Sequence, residues 1–309
     1  MRLKFFFTAF ILSLPFWWGI NIFQENLENY FYAQVSQPFQ QIVEVKIPEK
    51  PQKPKLELQA KAAISVLVDP QGGEKVLFRK NTNERLPIAS LTKLMTANIV
   101  LENYDLSREI KISEEAVLQE GEAGGLMAGK IFSAAYLLYP LLMESSNDAA
   151  YALANDYDGM TEEKFVGLMN LKAEDLGLEN TYFVNSTGLD PLNPEEAGHS
   201  INYSTAEDLV KFAKYLLKKS SIWEILATPK FSLYGPELIN TNELLWKSAS
   251  WQANIFGGKT GFTDEAGGCL LLVLKNKGEN FLINVILDAP SLSARIEEME
   301  KLIEWLNGQ

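Results

Sequence analysis

Three short stretches of this chain carry side chains that together could work on a carbonyl group. Ser90-Leu91-Thr92-Lys93 sets a hydroxyl three positions before an amine. On a helical turn, positions i and i+3 share a face, so the two groups meet. A serine hydroxyl attacks only when something takes its proton, and a desolvated lysine can be neutral near pH 7 and take it. Pro87 precedes a run of helix-tolerant residues through Glu102. Ser90 is therefore expected at a helix start, where backbone N–H groups and the positive dipole end face a developing negative charge. Ser145-Ser146-Asn147 adds a hydroxyl and an amide, and Lys259-Thr260-Gly261 adds an ammonium, a second hydroxyl and a glycine that lets a substrate come close to the backbone. The plain alternatives are a solvated Ser-Lys pair, two helix caps and an ordinary strand-end Lys-Thr. S-x-x-K and K-T-G each occur once, and three motifs in this order argue against coincidence. Ser200-Ile201-Asn202 also fits S-x-N; the first copy is preferred because it lies between the other motifs and opens an alanine-rich helix.

The elements that must position these groups follow from patterning. Residues 62–69 and 74–80 read as a strand hairpin around the turn at 70–73. The Ser90 helix is expected to end near Tyr104-Asp105. Residues 120–130, with four glycines and no phosphate-loop spacing, read as a loop. Residues 134–143 form a short apolar helix that Pro140 is expected to break or kink. Asn147 and Asp148 suit the start of the next helix. A helix over 161–176 is bounded by Glu162, Glu163 and Gly177, and Thr205-x-x-Asp208 opens an amphipathic one. The segment 231–246 is mixed and gets no assignment. Strands are expected at 255–262, carrying K-T-G, at 268–275 and at 281–287. Leu292, Ile296, Met299, Ile303 and Leu306 make an apolar stripe on a last helix; packing on the sheet is preferred over a membrane-surface anchor. The expected fold class is α/β of the α+β kind, an antiparallel sheet lobe from N- and C-terminal strands plus a helical lobe.

S-x-x-K, S-x-N and K-T-G are the motif set of penicillin-binding proteins and class A β-lactamases. The chain resembles the serine D-alanyl-D-alanine carboxypeptidases, the low-molecular-mass penicillin-binding proteins. Further matching text includes Ser146-Asn-Asp-Ala-Ala150, Asp175-Leu-Gly-Leu178, Thr187-Gly-Leu-Asp190, Ser204-Thr-Ala-Glu-Asp-Leu209 and the run from Gly258 to Gly267. The resemblance covers residues 60 to 309. It implies a β-lactamase/transpeptidase-like fold with the site at the junction of two lobes. It also implies acyl transfer from the terminal D-Ala-D-Ala of a peptidoglycan stem peptide, with β-lactams as covalent inhibitors and no cofactor. By that resemblance Ser90 is the nucleophile, Lys93 its general base and Ser145 a proton relay. Asn147 holds the substrate amide and orients Lys93. Lys259 supplies a fixed charge near Ser145, Lys259 and Thr260 suit the terminal carboxylate, and Gly261 admits the substrate. The N–H groups of Ser90 and Phe262 form the oxyanion hole. Two positions depart from the pattern. Thr187 stands where the family often has histidine, and Thr241 where some carboxypeptidases carry a basic residue. Both leave carboxypeptidase and D,D-endopeptidase action open.

Composition narrows the classes. With 309 residues, 47% hydrophobic and 22% charged, the chain is ordinary globular material. A net charge of −12 without a basic patch speaks against nucleic acid as a partner. The single cysteine, Cys269, sits in an apolar run and reads as a buried strand residue; the single histidine, His199, reads as a loop residue. One of each leaves no thiolate or imidazole cluster for a metal. His199 is the one candidate base for a Ser-His-Asp triad, but Lys93 already fills that role. Arg2 and Lys4 precede an apolar stretch at 5–23, and the next charges, Glu25 and Glu28, are acidic. This reads as a membrane anchor with the N-terminus inside. An uncleaved anchor is preferred over a secretory signal because Phe31 spoils a small-x-small site ending at Ala33. The expected domains are an anchor (1–24), a Pro/Lys-rich linker (25–59) that holds the next domain off the membrane, and a peptidase domain (60–309). A class A β-lactamase is disfavoured because no E-x-x-L-N follows Asn147. A non-catalytic peptidoglycan-binding protein is disfavoured because all the motif residues are present.

Overall fold

The computed structural model describes residues 2–36, 55–121, 125–191, 201–233, 235–247 and 251–308. The chain divides into two units, Met1–Lys55 and Leu56–Gln309. The first holds helix α1 (Arg2–Ser36), within which Phe5–Gln34 is long and apolar enough to cross a membrane. The helix continues well past the expected anchor boundary at residue 24. The residues that follow, Gln24-Glu25-Asn26-Leu27-Glu28, contain no breaker, and the next proline is Pro38. The first part of the expected linker is thus helical; its stretch 37–54 lies outside the described residues, as does His199.

The second unit is built on one antiparallel sheet. Strands β1 (Ala62–Val68) and β2 (Glu74–Lys80) form the N-terminal hairpin. The C-terminal strands β3 (Ile255–Thr263), β4 (Gly267–Lys275) and β5 (Phe281–Ala289) complete it in the order β2-β1-β5-β4-β3. Chain ends meet where Ile64 pairs with Val285, and the hydroxyl of Ser65 donates to Asn284 Oδ1 at 2.8 Å across the same two strands. Strand β4 reads Cys-Leu-Leu-Leu-Val-Leu without polar alternation because both its faces are covered. Cys269, Leu271 and Val273 join the core beneath the helices; Leu270, Leu272 and Leu274 join the core under the last helix. Strand β3 is left as a sheet edge.

Between the hairpin and the last strands run α2 (Lys93–Asn103), α3 (Ala134–Met143), α4 (Asn147–Asn155), α5 (Glu162–Asp175), α6 (Ala206–Leu216) and α7 (Ser220–Leu226). Helix α8 (Leu292–Asn307) packs on the far face of the sheet through Ile296, Met299 and Ile303. Three sequence expectations need correction. Ser90 lies in a 3₁₀ turn, Ala89–Thr92, before α2 begins. Pro140 does not break α3: in a ten-residue helix it forfeits one backbone bond, and the apolar side chains around it are buried. Asn147 and Asp148 open α4 as expected, and its cap is the preceding Ser146, whose Oγ accepts from the Ala149 N–H at 3.0 Å. Leu292 faces solvent at 49% exposure instead of joining the apolar stripe. The unassigned stretch holds two short paired strands, Lys230–Phe231 and Leu238–Ile239, and a 3₁₀ turn, Glu243–Leu245.

Candidate active site

The 3₁₀ turn brings Ser90 and Lys93 closer than an α-helix would, because residues three apart eclipse one another on it. Lys93 Nζ lies 2.8 Å from Ser90 Oγ. It donates to Asn147 Oδ1 at 2.7 Å and to the Thr187 carbonyl at 2.5 Å. Ala89, just before Ser90, sits at φ +44, and Ser145 at φ +64. A left-handed backbone costs a non-glycine residue about 1–3 kcal/mol and persists only where the surroundings enforce it. Both strained residues flank the same cleft.

The S-x-N loop enters through the division of labour in its triplet. Ser146 does the capping, which leaves the flanking side chains to other partners. Ser145 Oγ accepts from Lys259 Nζ at 2.8 Å. Asn147 accepts from Lys93 and donates Nδ2 to the Glu120 carbonyl at 2.7 Å. The main chain of Ser146 is tied back to the Pro140 carbonyl of α3 at 3.0 Å.

Strand β3 forms the opposite wall. Lys259 is wholly buried and also donates to the Thr260 carbonyl at 2.9 Å. Burying the two amines, those of Lys93 and Lys259, is costly unless hydrogen bonds compensate; here hydroxyls and carbonyls do so. Gly261 is pressed against the Ala89–Thr92 turn: a Cβ there would lie 3.0 Å from the Ser90 nitrogen and 3.2 Å from the Ile88 carbonyl oxygen, so a side chain would require the turn to give by a few tenths of an ångström.

A third wall comes from residues 185–190. Gly188, at φ +86, passes so close to the Ala89 carbonyl that a Cβ would collide with it. Asn185 Oδ1 accepts from the Gly188 N–H at 2.7 Å. Asn202 bolts this loop to the Ala89–Thr92 turn, donating to Asn185 Oδ1 at 3.0 Å and to Thr92 Oγ1 at 2.9 Å. The second S-x-N candidate thus contributes an asparagine that braces the site from behind. Thr187 meets Lys93 through its backbone carbonyl, so that contact does not depend on which side chain stands there.

The walls enclose a cavity of about 400 Å³ lined by Ser90, Ser145, Asn147, Thr241, Thr260, Gly261, Phe262 and Arg295, with Leu189 and Leu292 at its sides. Lys93 and Lys259 lie behind this surface with no exposed area. All eight residues expected from the motifs therefore meet around one cleft. Arg295 was not anticipated. It comes from the first turn of α8, is 6% exposed, and donates Nη1 to the Gly261 carbonyl at 2.7 Å. Its only sequence signal is an arginine one position before Ile296 of the buried stripe. Thr241 was noted as a departure; its Oγ1 lies 2.6 Å from Thr260 Oγ1. Among the described residues no group of histidine, cysteine and carboxylate side chains is arranged to hold a metal.

A five-stranded antiparallel sheet backed by helices, with this cleft at their junction, is the fold of the penicillin-binding D,D-peptidases. Penicillin-binding protein D2 from Listeria monocytogenes, in its ampicillin-bound form, superposes with a TM-score of 0.67 at 31% identity, covering 82% of this chain and 99% of that one. The profile of the D-alanyl-D-alanine carboxypeptidases (peptidase family S11) matches residues 47–291, and the chain belongs to that family. The carboxypeptidase DacF of Bacillus subtilis is 36% identical over 82% of this chain. A D-alanyl-D-alanine endopeptidase of Pseudomonas aeruginosa is 36% identical over 83% of this chain and 81% of its own length. The chain spans 64% of the length of DacF.

Proposed function

We propose that this protein is a serine D-Ala-D-Ala carboxypeptidase that trims peptidoglycan stem peptides through an acyl-enzyme on Ser90. The observation that carries the reading is Lys93 Nζ at 2.8 Å from Ser90 Oγ, buried and fixed by two carbonyl oxygens. Those two oxygens can only accept, whereas the Ser90 hydroxyl can donate. A neutral amine satisfies all three, giving its two N–H bonds to the carbonyls and its lone pair to the hydroxyl. Burial and the nearby Lys259 charge both favour that neutral form.

Ser90 Oγ attacks the penultimate D-Ala carbonyl as its proton passes to Lys93. The oxyanion is held by the N–H groups of Ser90 and Phe262; the tight seat of Gly261 against the Ser90 nitrogen keeps the two close. The C–N bond to the terminal D-Ala then breaks, and its nitrogen takes, through Ser145, the proton that Lys93 received, which leaves Lys93 neutral again; the Ser145 hydroxyl is polarised by Lys259. Water gives a proton to Lys93 as it attacks the ester carbonyl, and that proton passes to the departing Ser90 oxygen. The substrate lies along the free edge of β3, where an extended peptide can pair with the strand backbone. Asn147 receives the substrate amide. Thr260 and Arg295 receive the terminal carboxylate, while Lys259 acts from behind through Ser145. β-Lactams enter the same cleft and acylate Ser90. Residues 60–309 form the peptidase domain, and α1 anchors it on the extracytoplasmic face of the membrane; a secreted form after signal cleavage is the alternative.

A second reading, D,D-endopeptidase action on cross-links, is favoured by the uncharged Thr241 in the cleft and by the Pseudomonas relative's endopeptidase name. Incubating the full chain in detergent with an acyl-Lys-D-Ala-D-Ala peptide and with a cross-linked muropeptide dimer separates the two. Free D-alanine from the peptide supports the first, monomer from the dimer the second. D-Alanine release by Lys93→Ala at the wild-type rate contradicts both.

A further inference from the structure

Two threonine hydroxyls meet inside the cleft, and the mechanism above uses only one. Thr241 Oγ1 and Thr260 Oγ1 are 2.6 Å apart, and both residues line the cavity. At that distance a single hydrogen lies between them, and either hydroxyl can supply it. Thr241 is held from its other side by its N–H, which donates to the carbonyl of Met143 at 2.9 Å, at the end of α3 just before the S-x-N loop. Thr260 is fixed by strand pairing with Leu270 of β4. The two hydroxyls thus join the helical and sheet walls of the cleft.

We propose that Thr241 is a positioning and specificity-determining residue that aims the Thr260 hydroxyl at a substrate carboxylate. The inference rests on the proposed function, in which Thr260 receives that group. An anion needs a donor, so a carboxylate arriving at Thr260 draws the Thr260 hydrogen toward itself. The vacated lone pair of Thr260 then accepts from Thr241, and the two bonds polarise in one direction. Without the Thr241 hydroxyl nothing at that position orients the Thr260 rotor, and discrimination in favour of a free carboxylate falls. A threonine here tunes recognition of the C-terminus without adding charge.

The test uses the full chain in detergent and compares Ser90 acylation by benzylpenicillin, which carries a carboxylate, and by its methyl ester. Loss of one hydrogen bond to a charged group corresponds to about 10- to 100-fold. Thr241→Val is expected to lower the acid-to-ester rate ratio by about tenfold or more, Thr241→Ser to restore it, and Thr260→Val to lower it similarly. In the double variant the two losses do not multiply. The inference is overturned if Thr241→Val slows both compounds equally, leaves both unchanged, or multiplies with Thr260→Val. If the wild type is not acylated by either compound, the Ser90 reading itself fails; if it is acylated and only the ratio is unmoved, the Thr241 inference fails alone.

Discussion

Asn147 Oδ1 accepts from Lys93 Nζ at 2.7 Å while its Nδ2 donates to the Glu120 carbonyl at 2.7 Å, so one amide fixes the amine beside the nucleophile and is itself fixed by the opposite loop. An amide provides this without charge. A carboxylate in its place would hold Lys93 as an ammonium. Asn147→Asp is therefore predicted to slow acylation by penicillin by about 10²-fold or more near neutral pH, and to move the pH profile of acylation upward. Stopped-flow acylation across pH checks this; an unshifted profile contradicts it.

A Cβ at Gly261 would crowd Ser90 N at 3.0 Å and Ile88 O at 3.2 Å. Gly261→Ala is predicted to displace the nucleophile turn, lowering stability by about 1–3 kcal/mol and acylation by about 10²-fold or more. Urea unfolding and acylation kinetics on the same sample read both effects. Wild-type kinetics would show that the close approach does not matter.

Glu102, at the end of the nucleophile helix, joins α2 to α5 and α6. Lys172 Nζ lies 2.8 Å and Lys219 Nζ 3.0 Å from its carboxylate, and Tyr215 Oη donates to it. Burial alone would raise its pKa, but the hydrogen bonds from Lys172, Tyr215 and Lys219 outweigh that and hold it at about 2, below the ordinary 4.5. A carboxyl depressed by folding stabilises the fold fully above its unfolded pKa and loses that contribution as pH falls through the folded one. The stability difference between wild type and Glu102→Gln is thus predicted to be largest above pH 4.5, at most about 3 kcal/mol, and to shrink steadily toward pH 2. Urea unfolding at several pH values measures it; a pH-independent difference contradicts it.

Cys269 is fully buried, and burial pushes its thiol up to about 12. A thiol needs its thiolate form to react. No labelling by an aromatic disulfide reagent is predicted for the folded protein at pH 8, with one equivalent after unfolding. Fast labelling in the folded state would place the residue elsewhere.

How far the sequence carried differs between parts of the molecule. The sheet was legible because its five strands are short β-rich or apolar runs between turn residues, and the pairing of N-terminal hairpin with C-terminal strands followed. The meeting of Ser90, Lys93, Ser145, Asn147 and the K-T-G strand was legible through motif order. The 3₁₀ turn at Ser90 was not, since Ala89-Ser-Leu-Thr92 favours no particular helix type. The Ser146 cap was hidden by neighbours of equal capping ability. Arg295 and the Thr187 carbonyl were beyond reach for another reason: one is a long-range contact from a helix read only for its apolar stripe, and the other is backbone.

Acylation of Ser90 is central to the proposed function, and intact mass after incubation with benzylpenicillin tests it most directly. Wild type is predicted to gain the mass of one penicillin, mapped to the peptide containing Ser90, while Ser90→Ala gains none. An unmodified wild type, or an adduct that survives in Ser90→Ala, would contradict it.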